Sequence, residues 1–280
     1  MKPKKLYLVL DGPKGIEEIE TCKQTKKVLD DINWDCKVEK LFSDHNLGLK
    51  KRFKSGLDTI FNQEESLIIL EDDTLPTLSF FRFCDELIEK YSDQKNIAQI
   101  NGYNYLSKIS KENSYYFSTY PELWGWASWS DRWFKYYNNA LDGWNEIKNT
   151  QAFKEKFFSE KEYDYFYKAY ENAYNNVIDS WDFKWGFSLR INELLSVAPT
   201  TNLVKNLGFG HQGATHTHQK LKYISVTKNK QYNIRFPLQH PQKVELNNTL
   251  IKKEFHKKQL ENSKLSKLIY YFNKVKKLIL

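Results

Sequence analysis

Four apolar runs, alternating with stretches of helical spacing over the first hundred residues, restrict this chain to few architectures. KLYLVL (Lys5–Leu10), CKVEKLF (Cys36–Phe42), SLIIL (Ser66–Leu70) and IAQINGYNYL (Ile97–Leu106) read as strands. Between them, Ile16–Leu29, a helix opened by Asn46-Leu47-Gly48 and running through Phe61, and Ser79–Tyr91 read as helices. Such alternation is the signature of an α/β fold with a mainly parallel sheet flanked by helices. One domain of this kind over residues 1–220, followed by a C-terminal extension over 221–280, accounts for the length.

The third run ends directly in Glu71, Asp72 and Asp73. Three adjacent acids repel one another, and at the carboxyl end of a buried strand they are also partly desolvated, so a positive partner is expected. A divalent cation that carries phosphate oxygens meets that need, since hard cations take carboxylate oxygens and bridge them to diphosphates. The plainer alternative is that the acids cap the helix beginning near Thr77 or lie solvated in a turn. Asp11, at the end of the first run, is open to the same two readings: a tight turn with Gly12, or a carboxylate at a strand end, where α/β sheets place ligand contacts. Lys50, Lys51, Arg52 and Lys54 begin the second helix, where they face phosphates or form a solvated basic face.

A net charge of +8 points to an anionic partner. The basic residues are dispersed and no nucleic-acid recognition motif accompanies them, so nucleic acid is not the expected one. No glycine fingerprint for dinucleotides and no GK[ST] phosphate loop occurs, which argues against dehydrogenases and P-loop enzymes. The sequence has no window apolar enough to span a membrane and no signal peptide, so a cytoplasmic location is expected. Cys22, Cys36 and Cys84 are odd in number and widely spaced, as reduced thiols would be.

Aromatic residues make up 16% of the chain, and they crowd into its middle. In PELWGWASWSDRWFKYY (Pro121–Tyr137), Trp124, Trp126, Trp129 and Trp133 do not share one helical face. Either some stack on sugars or together they form an aromatic wall. A long polar helical region, roughly Thr150 to Ile178, follows. Asp182 then lies between Trp181 and Phe183, a setting that would dry its carboxylate and make it a better proton acceptor, unless it merely caps a helix. Gly208, Gly210 and Gly213 precede Thr215 and His216, a pattern suited to a lid that closes over phosphates. At the far end, KLSKLIYYFNKVKKLIL (264–280) has the spacing of a basic amphipathic helix, fitted to peripheral contact with the inner face of a membrane or to packing back on the domain.

Taken together, LYLVLDGP, the NLG helix opening, ILEDD with its following proline, WGWASW, SWDFKW, and NLVKNLGFG with ATHT resemble bacterial nucleotide-sugar glycosyltransferases of the GT-A fold. More distantly they are similar to the eukaryotic N-acetylglucosaminyltransferase that initiates complex N-glycans. The resemblance covers about Lys5 to His218. It implies a nucleotide-sugar donor, a glycan or glycolipid acceptor, and Mn²⁺ or Mg²⁺ held by Asp73. Asp72 would lie near the ribose, Glu71 near the donor sugar, Asp11 at the base and Arg52 on the nucleotide. Asp182 matches the general base of an inverting displacement, Thr215 and His216 a loop over the diphosphate, and Trp124, Trp126 and Trp181 are the candidates for sugar stacking. It also implies a further strand and helix ahead of Lys5.

Overall fold

Each of the four apolar runs forms a strand, and the way they pair is what shapes the molecule. The protein is described by a computed structural model that covers residues 2–109, 112–179, 181–208 and 230–262. It is a mixed α/β fold with a mostly open central sheet flanked by helices. β1 (Lys5–Leu10) and β2 (Lys37–Phe42) pair in parallel, with α1 (Ile19–Val28) between them in sequence. After α2 (Leu49–Phe61), β3 (Ser66–Ile69) ends in the acidic turn and β4 (Thr74–Pro76) leads into α3 (Leu78–Lys90) and β5 (Ile97–Asn101).

Beyond residue 110 come β6 (Tyr115–Ser118), β7 (Trp126–Trp129) and α4 (Ser130–Tyr136). α5 (Trp144–Ile147) comes next, and the polar helical region over 150–178, expected as a covering helix or pair of helices, forms α6 (Gln151–Lys154) and α7 (Glu160–Tyr174). A side-chain cap opens each. The Thr150 hydroxyl accepts from the Phe153 amide at 3.2 Å, and the Ser159 hydroxyl accepts from the Glu162 amide at 3.2 Å, so each starts a new helix. Then follow α8 (Asp182–Ile191), β8 (Leu195–Pro199), β9 (Val204–Asn206) and α9 (Asn248–Asn262).

The expectation of a mainly parallel sheet is corrected. The central sheet has the order β3-β7-β5-β8-β6, and only β5 and β8 are parallel in it. β7 returns antiparallel between β3 and β5, setting Ile69 opposite Trp126 and Ile100 opposite Ala127. Residues after 110 thus supply three of the five strands. These strands are buried along their whole length, so they read as short apolar or aromatic runs without alternation.

β7 also explains the tryptophans. Because successive residues of a strand point to opposite faces, Ala127 and Trp129 join α3 in one core, with Phe80, Phe83 and Leu87. Trp126 faces the other way, against Trp133 of α4, Trp185 of α8 and Leu57 and Phe61 of α2. A third cluster gathers α7, α8 and α9, with Phe166, Tyr170, Phe187, Ile251 and Phe255 buried together. Residues from the C-terminal extension therefore share the cores of the first 208: Ile234 and Leu238 sit in the α3 core, Ile251 and Phe255 in the third cluster. No helix among the described residues is long and apolar enough to cross a membrane. The 264–280 segment, Thr215 and His216 lie outside the described residues.

Candidate active site

The acidic turn is built locally. Thr74 closes it, its hydroxyl donating to the Glu71 carbonyl at 2.7 Å and accepting from the Glu71 amide at 3.0 Å. β4 then pairs with β9, placing Thr74 opposite Asn206, so the backbone after Asn206 runs beside Asp73. The Leu207 amide donates to the Asp73 carbonyl at 2.6 Å. Gly208 is needed at this approach, since a Cβ there would stand 2.2 Å from Asp73 Oδ2. Asp182, the first residue of α8, arrives from the other side. Its Oδ1 accepts from the Phe183 amide at 2.9 Å, and the helix that carries it is anchored by Trp185, whose indole donates to Gln99 Oε1 on β5 at 2.6 Å.

These elements surround a chamber of about 770 Å³, within the size range of small-ligand sites. Glu71, Asp72, Asp73, Asp179 and Asp182 line it, with Asn206 and Gly208. Burial, together with the charges of Asp73, Asp182 and Asp72, pushes the Glu71 carboxyl up to about 7. Asp73 is likewise raised, by burial and then by Asp72. Asp73 Oδ1 is buried and has no hydrogen-bond partner among the described residues.

That orphaned oxygen bears on the expected metal. Among the described residues no group of three or more His, Cys, Asp or Glu side chains is arranged to hold a metal alone. Mg²⁺ sites of the shared type use one or two carboxylates and complete the shell with substrate phosphates and water. Asp73, with an unused buried oxygen on an acidic wall, fits that donor set.

The other expected site residues divide. Trp124 lines the chamber, half-buried, with its ring 4.5 Å from that of Tyr103 in an edge contact. Trp126 is corrected as a stacking candidate: it is fully buried between sheet and helices and does not reach the chamber. Trp181 borders the chamber, but its ring is stacked on Phe53 at 3.7 Å and on Trp126 at 5.9 Å, so both faces are committed to the core.

Asp11 and Arg52 do not line the chamber. The Asp11 carboxylate accepts from the amides of Gly12, Leu47 and Gly48 at 2.9 to 3.2 Å, holding the positively charged start of α2. Arg52 donates to the carbonyls of Leu10 and Leu41, tying together the ends of β1 and β2. Burial lowers its guanidinium, though the Asp11 charge opposes this. The basic start of α2 is likewise occupied: Lys50 reaches Asn176 at 3.1 Å and Asp179 at 3.5 Å.

Sequence reasoning missed Tyr105, Thr119, Glu122 and Lys258 in the chamber lining. Glu122 stands two residues before Trp124 in the tryptophan-rich segment, a carboxylate beside aromatics that could have drawn attention. Lys258 belongs to α9, and nothing in its surroundings in sequence connects it to residues more than a hundred positions away. A comparison with protein-family models and with curated proteins finds no match to this chain.

Proposed function

We propose that this chain is a metal-dependent, inverting glycosyltransferase of the GT-A type, which moves a sugar from a nucleotide-sugar donor to a hydroxyl of a surface glycan or lipooligosaccharide precursor. The observation that carries the reading is the shared chamber, lined by Asp182 and by Asp73, one buried oxygen of which has no hydrogen-bond partner among the described residues. The motif resemblance supports it independently.

Under this reading Asp73 holds Mn²⁺ or Mg²⁺, whose charge offsets that of a departing diphosphate. Asp182, presented at the first turn of α8, takes the proton from the acceptor hydroxyl as that oxygen attacks the anomeric carbon from the face opposite the leaving group. Glu71 and Asp72 contact the donor sugar and ribose. Asp11 and Arg52 act on the donor side indirectly, by holding the loop before α2 and the ends of β1 and β2. Separate groups thus serve the leaving group and the nucleophile.

Calorimetric titration with a panel of nucleoside diphosphates, each with Mn²⁺ and with EDTA, tests the reading. One nucleotide should bind in a metal-dependent way, Asp73→Ala should abolish that dependence, and Asp182→Asn should keep binding while losing transfer. Binding that is the same in EDTA, or full turnover by Asp182→Asn, would overturn the assignment.

A second reading has one observation in its favour. Glu71, raised to about 7 by burial and by the charges of Asp73, Asp182 and Asp72 and so partly protonated at neutral pH, resembles with Asp182 the acid and carboxylate pair of a glycoside hydrolase. Glycoside cleavage in EDTA without nucleotide would select it.

A further inference from the structure

Part of the chamber lining is built from three separate parts of the chain, and one belongs to the C-terminal extension. Lys258 of α9 brings its ammonium to 3.7 Å from Glu122 Oε1 and to 5.0 Å from the centre of the Tyr105 ring. The Glu122 segment is held rigidly from below. Gln99 Nε2 donates to the Glu122 carbonyl at 3.0 Å, and the Asn101 side chain donates to the Tyr120 carbonyl at 3.0 Å. Thr119, also in the lining, keeps its hydroxyl oxygen without a partner among the described residues.

We propose that Glu122, Lys258 and Thr119, with the Tyr105 and Trp124 rings beside them, form a saccharide subsite that binds an uncharged pyranose and presents its hydroxyl toward Asp182. The inference rests on the glycosyltransferase reading for the role of that sugar as acceptor. A carboxylate and an ammonium side by side offer an acceptor and a donor to neighbouring hydroxyls of one ring, while an aromatic face takes up its C–H surface.

Charge decides the class of sugar. Glu122 and Lys258 neutralise each other, and Glu254, directly behind them on α9, is itself uncharged at neutral pH. Burial lifts its carboxyl to about 8, while Tyr116 and Ser118 hydroxyls donate to it at 2.5 and 3.2 Å. It therefore does not draw Lys258 away from Glu122. The same chamber also carries Glu71, Asp72, Asp73, Asp179 and Asp182, of which Asp179 has Lys50 at 3.5 Å. An anionic sugar entering this chamber would find the two cations of the described lining, Lys258 and Arg190, already matched by Glu122 and Glu162 and would face repulsion from the chamber's other carboxylates, whereas a neutral hexose or N-acetylhexosamine meets neither cost.

Saturation-transfer NMR with the whole chain tests the subsite, using methyl glycosides of glucose, galactose and N-acetylglucosamine against methyl glucuronide and galactose 6-phosphate. At least one neutral glycoside should give signal and neither charged one should. Glu122→Gln, Lys258→Met and Trp124→Ala should each weaken the neutral sugar about tenfold, in line with loss of a charged hydrogen bond or a stacking face. Metal-dependent nucleotide binding should persist in all three, and Lys258→Arg should recover most of the signal, which guards against a fold defect. Absent or variant-insensitive sugar signals, or preference for the charged sugars, overturn the subsite whatever the nucleotide result. Absent nucleotide binding with the expected sugar pattern overturns the transferase reading and leaves the saccharide site standing.

Discussion

Glu254 shows how much one buried carboxyl can weigh on this fold. It is buried between β6 and α9, faced by Tyr116 and Ser118 from β6, by Glu122 from the following loop and by Lys258 one turn along its own helix. Its folded form keeps its proton up to about pH 8, whereas the unfolded chain releases it above about 4.5. Between those values the unfolded state binds fewer protons, so stability falls as pH rises through the window. Glu254→Gln removes this titration. Thermal unfolding followed from pH 5 to pH 8 should fall less steeply in the variant than in the native chain, by an integrated difference on the order of 3 kcal/mol. Parallel profiles would show that Glu254 does not titrate as its surroundings require. At this scale the sequence was a fair guide to chemistry and a poor guide to employment. Asp11 stood out as a carboxylate at a strand end, which it is, yet three backbone amides already claim its oxygens.

Among the elements, β7 departs furthest from its sequence pattern. Four tryptophans in ten residues suggested ligand stacking because they match no helical face, and the resolution is that two of them belong to a strand. Trp126 and Trp129 stand three apart, so they point to opposite faces of the sheet and fill two different cores. Trp126→Ala should therefore cost about 3–5 kcal/mol in urea denaturation, as large aromatic deletions from cores do. Unchanged stability with lost sugar binding would return Trp126 to the ligand. Apart from β4, the strands and long helices before residue 101 were legible because each is set by local periodicity: α2 and α3 start and end within a residue or two of their expected bounds. β6, β7 and β8 were missed because they are buried without alternation and, as YYFS, WASW and LSVAP, lack the isoleucines that mark SLII and IAQIN as strands.

At the scale of the whole molecule, the C-terminal extension behaves as part of the domain. Leu250, Ile251 and Phe255 of α9 are almost fully buried against residues from β6, β8, α7 and α8. Burying three such side chains contributes about 5–8 kcal/mol, comparable with the net stability of an ordinary domain. A chain ended after Asn247 should accordingly lose cooperative unfolding, measured by circular dichroism against temperature. A truncated form that unfolds cooperatively near the native midpoint would make residues 1–247 an independent domain and would remove Lys258 from any structural role.

The sequence by itself determined the α/β character, the types of the first elements, and the acidic turn at a strand end beside which ligand chemistry could gather. These depend on periodicity and on neighbours within a few residues, where covalent linkage brings the groups together. Only the tertiary structure decided that β7 lies antiparallel between β3 and β5, that Trp126 and Trp181 are committed to packing, and that Lys258 meets Glu122 in the lining of the chamber that also holds Asp73 and Asp182. Those outcomes depend on contacts between residues many tens of positions apart. Which distant surfaces meet is set by the burial of whole faces, a property that no single stretch of the chain carries.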